Sequence, residues 1–254
     1  MDLIGRSPQM VAVRAQLARV ASLATPVVIT GESGVGKDLA AAMIHKLGPR
    51  AHHRLRAVDV ARLPEELIDG ECFGRAADAF HGARPARPGW LEEARGSSIL
   101  LANVQCWPRA LQPKLLRLVR DRAYTPVGDW RIVAADVRII ATTSADPEDF
   151  LSDGTFSRAL YRALAANAIH IPPLRERVVD IPLLARYFLD RAARAYRKDI
   201  SGFVPETLLI LTRHSWPGNV RELRNVVERA VVFSTNKRIV PDDVAYLYAG
   251  KMTA

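Results

Sequence analysis

The chain has 254 residues, 49% of them hydrophobic, enough for one α/β domain with a core and a smaller second domain. No apolar run approaches the ~20 residues of a membrane span. The start, Met1-Asp2-Leu3-Ile4-Gly5, has neither the basic nor the apolar segment of a secretion signal, so the expectation is a cytoplasmic protein with no membrane partner. Lys and Arg outnumber Asp and Glu by 36 to 27, a net charge of +9. That balance suits an anionic partner, nucleotide or nucleic acid. It is equally what an Arg-rich, Ala-rich composition gives without one, and the arginines are scattered rather than gathered in one basic arm.

In chain order, Val27-Val28-Ile29-Thr30 is a continuous β-branched run, as expected of a strand buried on both faces. A helical stretch, Leu39 to Lys46, follows the loop after it. Ser98-Ile99-Leu100-Leu101 and Val137-Arg138-Ile139-Ile140-Ala141 are two more strands. Between them Leu111, Leu115, Leu116 and Leu118 recur at helical spacing up to Asp121. The alternation predicts a parallel sheet covered by helices. Ile171-Pro172-Pro173 ends that pattern, which sets expected domains of 1–172 and 173–254. Beyond it the pattern is helical: Asp180 to Tyr196, Pro205 to His214, a third helix opened by Pro217-Gly218-Asn219 and running to about Phe233, and a last one opened by Pro241-Asp242-Asp243.

Gly31-Glu32-Ser33-Gly34-Val35-Gly36-Lys37-Asp38 joins the first strand to its helix. It matches G-x-x-x-x-G-K-S/T except that Asp38 replaces the hydroxyl residue. The glycines let backbone amides turn toward phosphates, the helix N-terminus adds partial positive charge, and Lys37 reaches the β/γ-phosphates. A Ser or Thr at position 38 would ligate Mg²⁺; Asp38 would either do so as an acid or cap the helix. Two cysteines, Cys72 and Cys106, fit no metal spacing and are expected as reduced thiols. His52-His53 and His214 have no ligand partners at metal spacing, so no metal site is expected, and Trp107 and Trp216 are expected to pack in the core.

Three further stretches carry a resemblance. They are Glu71-Cys72-Phe73-Gly74, then Pro172-Pro173-Leu174-Arg175-Glu176-Arg177 followed by Asp180-Ile181-Pro182-Leu183-Leu184, and Trp216-Pro217-Gly218-Asn219-Val220-Arg221-Glu222-Leu223. With the phosphate loop they resemble the AAA+ central domain of bacterial enhancer-binding proteins, the NtrC-like activators of sigma-54 RNA polymerase, along nearly the whole chain. The resemblance implies an AAA+ P-loop NTPase fold with a small C-terminal helical lid. It implies ATP or ADP as ligand and self-association as a ring or dimer. The sigma factor or RNA polymerase would be the partner, with DNA contacted through a domain absent from this chain. Arg221 matches the lid arginine that touches the nucleotide.

The departures from the family pattern are as informative. Where the family ends its third-motif strand in Asp-Glu, this chain has Ala102-Asn103, which supply neither a metal ligand nor a base. Ser144 stands for the family's sensor Asn. In Phe156-Ser157-Arg158-Ala159-Leu160-Tyr161-Arg162-Ala163-Leu164, Ser157 and Ala163 occupy the two arginine-finger positions, with Arg158 and Arg162 one place away, ~100° around a helix. Asp59 takes the place of the Asn that gates the family's catalytic Glu. The sigma-contacting loop reads Asp78-Ala79-Phe80-His81-Gly82-Ala83.

These substitutions together lead to an expected transcription-regulator domain that binds ATP, ADP or another purine nucleotide as a structural or signalling ligand, with hydrolysis lost and sigma-54 activation with it. Mg²⁺ has little to hold it. Two alternatives stand beside this: a weak ATPase using Asp59, Arg158 and Arg162 as substitutes, and a module responding to a cyclic dinucleotide through Arg6, Arg186 and Arg191.

Overall fold

The computed structural model describes residues 3–77 and 86–249. They divide into two compact units, one of residues 15–31 and 37–170 and the other of residues 3–14, 32–36 and 171–249. The prolines at 172 and 173 mark the main crossing between them. Residues 3–14 and 32–36, which a cut at those prolines would leave with the first domain, belong by their contacts to the second unit.

In chain order the elements begin with α1 (Pro8–Ala21), which starts in the second unit and ends in the first, then β1 (Val27–Thr30), α2 (Lys37–Leu47) and β2 (Arg56–Asp59). Next come α3 (Glu65–Phe73), α4 (Trp90–Glu93), β3 (Ser98–Ala102), α5 (Gln112–Asp121), β4 (Ala123–Tyr124) and β5 (Val133–Ala134). The first unit closes with β6 (Arg138–Thr143), α6 (Pro147–Ser152), α7 (Arg158–Leu164) and β7 (Ala168–His170).

The sheet runs β2-β3-β6-β1-β7, all parallel. Parallel neighbours require crossovers through helices, which cover both faces and explain the uninterrupted apolar runs. Ile29 of β1 lies opposite Thr142 on one side and Ile169 on the other, so β1 is interior to the sheet. Val28, Ile99, Leu101, Ile139 and Ala141 pack with Phe73, Trp90, Trp107, Leu115 and Phe156 in one cluster. β2 and β7 do not show as strands in the sequence pattern, because each is short and partly exposed.

β6 is buried along its whole length, including Arg138 at 3% exposure. Its guanidinium donates to the carbonyls of Val20 at 2.5 Å and Ala21 at 2.6 Å, the orphan acceptors at the end of α1. Burial pulls this guanidinium below its ordinary range, with the Arg50 charge a smaller cause in the same direction. Gln112 ties α5 to α7. Its amide donates to the carbonyls of Trp107 and Thr155, and its oxygen accepts from Ser157 N at 2.7 Å. In the turn between β4 and β5, Asp129 accepts from the amides of Trp130 and Arg131 and from the Arg131 guanidinium. Those bonds, the Arg131 side chain first, hold its carboxyl at about 2.

The second unit holds α8 (Ile181–Tyr196), β8 (Gly202–Phe203), α9 (Pro205–Arg213), α10 (Asn219–Phe233), β9 (Arg238–Ile239) and α11 (Tyr246–Ala249). Ile181, Leu184, Leu211, Leu223, Val227 and Trp216 form its core. Trp216 is fully buried and donates its indole N–H to the Leu211 carbonyl at 2.8 Å. Asp180, fully buried, accepts from Arg6 N, Ser7 N and the Ser7 hydroxyl at 2.6, 2.8 and 2.6 Å, so a carboxylate with no water is still satisfied.

Two expectations change here. The region is not wholly helical, since β8 and β9 pair in parallel over two residues each, too short for a periodicity signal. The segment opened by Pro241 is a 3₁₀ turn, Pro241–Val244, followed by the four-residue α11, rather than one helix. Among the described residues no helix is long and apolar enough to cross a membrane.

Arg138→Met removes both hydrogen bonds while keeping most of the volume. It is expected to lower the unfolding free energy by about 2–4 kcal/mol in a denaturant titration.

Candidate functional site

The turn between β1 and α2 is built from backbone. Gly34 has φ +82° and Gly36 φ +109°, a region that side chains rarely enter. A Cβ on Gly34 would stand 2.2 Å from the Gly218 carbonyl oxygen, so the loop backbone meets the 217–221 turn directly. Among the described residues the amides of Ser33, Gly34 and Gly36 donate no hydrogen bond within the chain. Successive N–H groups left open in such a turn, ahead of a helix N-terminus, form an anion-binding concavity. Lys37, 8% exposed, opens α2, and its ammonium donates to the Gly31 carbonyl at 2.7 Å. Asp38 is exposed in the first turn of α2 and its side chain accepts no hydrogen bond among the described residues, so of its two expected roles capping is not observed.

Glu32, Ser33, Gly34, Val35 and Gly36 belong to the second unit, where Arg221 is exposed and donates to the Ser33 hydroxyl at 3.1 Å. Three residues around this loop carry no functional assignment from the sequence. The Arg175 fork holds both oxygens of Glu32, at 2.8 and 2.6 Å. The Asn219 amide donates to Glu32 at 3.0 Å and to the Ser33 carbonyl at 3.1 Å, and Arg177 donates to the Val35 carbonyl at 3.2 Å. The signal was present, since all three lie in the stretches that carry the family resemblance, but which backbone groups they meet depends on the fold.

In the first unit the carboxyl edge of the sheet collects the substituted positions. Asp59 and Ala102 are register partners at the ends of β2 and β3. Asn103 follows in a left-handed conformation, φ +54°, and its amide donates to Asp59 at 2.8 Å. Asp59 also accepts from Ala61 N at 3.3 Å and Arg62 Nε at 3.0 Å. The Cys106 thiol is pushed up, by burial first and then by the Asp59 charge, which is the opposite of an activated nucleophile. Ser144 is exposed and lies 3.5 Å from the Gln105 amide.

Ser157 caps α7, its hydroxyl accepting from Leu160 N at 3.3 Å, and Ala163 is half-buried on the same helix. Arg158 and Arg162, four residues apart and both exposed, line one groove of about 480 Å³ with Glu148, Leu151 and Tyr161. Residues Asp78 to Ala83 lie outside the described residues. Of the arginines named for a cyclic dinucleotide, Arg186 is engaged with Asp190 and the Ser201 carbonyl, Arg191 lies over the Tyr187 ring, and Arg6 donates its backbone amide to Asp180.

A five-stranded parallel sheet, a glycine turn from β1 into α2, and a helical unit carrying Arg221 against that turn define an AAA+ P-loop domain with a lid. Residues 3–170 match the family described as sigma-54 interaction domain, and residues 175–252 match the AAA+ ATPase lid domain. The chain belongs to the sigma-54 interaction domain family. It is 42% identical, over 92% of its length, to the formate hydrogenlyase transcriptional activator FhlA of Escherichia coli K12, and spans 34% of that protein. It is 39% identical, over 96% of its length, to the DNA-binding transcriptional regulator NtrC of Klebsiella pneumoniae, of which it spans 52%. NtrX from Brucella abortus, solved in complex with ADP, superposes with a TM-score of 0.86 at 34% identity, covering 94% of this chain and 54% of that one. NtrX in complex with ATP superposes with the same score at 33% identity, covering 96% and 54%.

Gly34→Ala places a methyl group against backbone at a positive φ. It is expected to destabilise the fold by roughly 1–3 kcal/mol in chemical denaturation, and to weaken nucleotide binding in calorimetry.

Proposed function

We propose that this domain binds ATP or ADP at residues 31–38 and uses the bound nucleotide as a structural or signalling ligand in transcription control, with hydrolysis lost. The observation that carries the proposal is a contrast between two neighbouring parts of one fold. Among the described residues the amides of Ser33, Gly34 and Gly36 are open, and the loop ends in Lys37, whose ammonium is bonded to the Gly31 carbonyl, as a phosphate site needs. At the carboxyl edge, Ala102 has no ligand atom and Asn103 has no acid, its amide being engaged with Asp59. Loss of a general base typically lowers a rate by ~10²–10⁴, and loss of an arginine finger by ~10³–10⁵. Serine and alanine at 157 and 163 put both losses in one chain.

The residues present fit a nucleoside di- or triphosphate: Ser33, Gly34 and Gly36 offer open amides, Arg221 donates to the Ser33 hydroxyl, and Lys37 follows in the same loop, in line with the nucleotide complexes of the Brucella homologue. Of the two carboxylates in the loop, Glu32 is covered by Arg175 and Asp38 is exposed, so Mg²⁺ would be held by Asp38 and mainly by the phosphates. As in a sigma-54 interaction domain, self-association and contact with the sigma factor or RNA polymerase are the partners proposed.

One observation favours a second reading, a slow ATPase. The Asp59 carboxylate lies at the edge of the sheet and is only 2.8 Å from Asn103, so a base is present on the neighbouring strand.

The test is steady-state ATP hydrolysis at high protein concentration with Mg²⁺, with Lys37→Ala as control and binding measured by calorimetry on the same sample. Binding without turnover above the control is the expected outcome. Turnover that vanishes in both Lys37→Ala and Asp59→Asn would replace the first reading with the second.

A further inference from the structure

The carbonyls of the phosphate loop are all engaged, whereas of its amides from Ser33 to Gly36 only that of Val35 is, among the described residues. Five consecutive carbonyls have donors. Gly31 O takes Lys37 Nζ at 2.7 Å, Glu32 O takes Val35 N at 3.5 Å, Ser33 O takes Asn219 Nδ2 at 3.1 Å, Gly34 O takes Arg221 N at 3.2 Å and Val35 O takes Arg177 Nη2 at 3.2 Å. The amides of Ser33, Gly34 and Gly36 have no acceptor among the described residues. A turn merely packed against a neighbour would use donors and acceptors alike. Holding the Ser33, Gly34 and Val35 carbonyls from outside the loop fixes the peptide planes that carry the open amides, and an amide cluster fixed before the ligand arrives costs little reorganisation when it binds.

The donors on the second unit are built for this. Asn219 is fully buried at φ +54°, its oxygen fixed by Leu174 N at 2.7 Å and its nitrogen shared between Ser33 O and Glu32. Arg177 is 2% exposed, its Nε has no partner, and burial pulls its guanidinium below the usual range. A buried guanidinium is costly unless its bonds matter. Arg175 does a different task. Glu32 is a carboxylate inside an anion-binding loop, and the Arg175 fork covers both its oxygens, neutralising a charge that would repel phosphate.

We propose that Arg175, Arg177 and Asn219 are positioning residues for the nucleotide: two aim the loop amides by holding its carbonyls, and Arg175 cancels the Glu32 charge. The inference rests on nucleotide binding at residues 31–38. Arg175 is its most accessible test, because both partners are more than a third exposed and such a pair contributes little to stability.

Arg175→Ala is expected to weaken ADP binding about 10-fold and ATP binding more, since ATP carries the extra charge. The loss should shrink with added salt while the melting temperature barely moves. In a Glu32→Gln background, with no charge left to cancel, Arg175→Ala should change the dissociation constant by less than about 2-fold. Equal losses in both backgrounds, or no loss in either, overturn the proposal. Hydrogen exchange of amides 33–36 without nucleotide gives an independent reading. Faster exchange of these amides in Asn219→Ala or Arg177→Met, relative to the amides of β1 and β6, supports the clamp, and unchanged exchange in both overturns it. If the wild-type chain binds neither nucleotide, the functional reading fails and the exchange result alone decides the clamp.

Discussion

A backbone turn that offers amides to an anion has to place its carbonyls somewhere, and here every one from Gly31 to Val35 has a donor. Much of the remaining structure serves that constraint. β1 is interior to a parallel sheet, which makes the strand feeding the turn rigid. Lys37 reaches back to Gly31 as the helix begins. Residues 32–36 are grouped with the helical unit because their outward groups are satisfied there. Gly34 is needed twice, for positive φ and for the close approach of its backbone to that of Gly218, and Gly36 for its positive φ.

The carboxyl edge of the sheet keeps the strand frame of a P-loop domain while presenting Ala102, Asn103 and Asp59. Leu100, Leu101 and Ala102 keep strand register with β2, so the end of β3 is where a ligand-binding strand end belongs. An alanine and an asparagine stand there, and the nearby carboxylate, Asp59, comes from the adjacent strand and is held by an amide, a backbone N–H and an arginine. Ser157 caps the helix on which the family places arginines, while Arg158 and Arg162 share a different groove beside Glu148.

The sequence by itself determined the parts whose signal is local. Largely apolar runs announced β1, β3 and β6, because strands buried on both faces carry few polar residues. Leucine spacing announced α5, and the glycine pattern with Lys37 announced the phosphate loop. It also displayed the substitutions at 102, 103, 144, 157 and 163, which are identities and need no geometry. The two-residue pairing of β8 with β9, and the breaking of the last segment into a 3₁₀ turn and α11, were decided by packing in the second unit, where elements so short carry no period to read. Only the tertiary structure could bring Glu32 to Arg175, 143 positions away, or Ser33 to Asn219, 186 away, since pairing at such separations is set by how the helices fold back and not by any neighbouring residue. The same holds for Asp59 and Asn103, which one register of parallel strands places side by side.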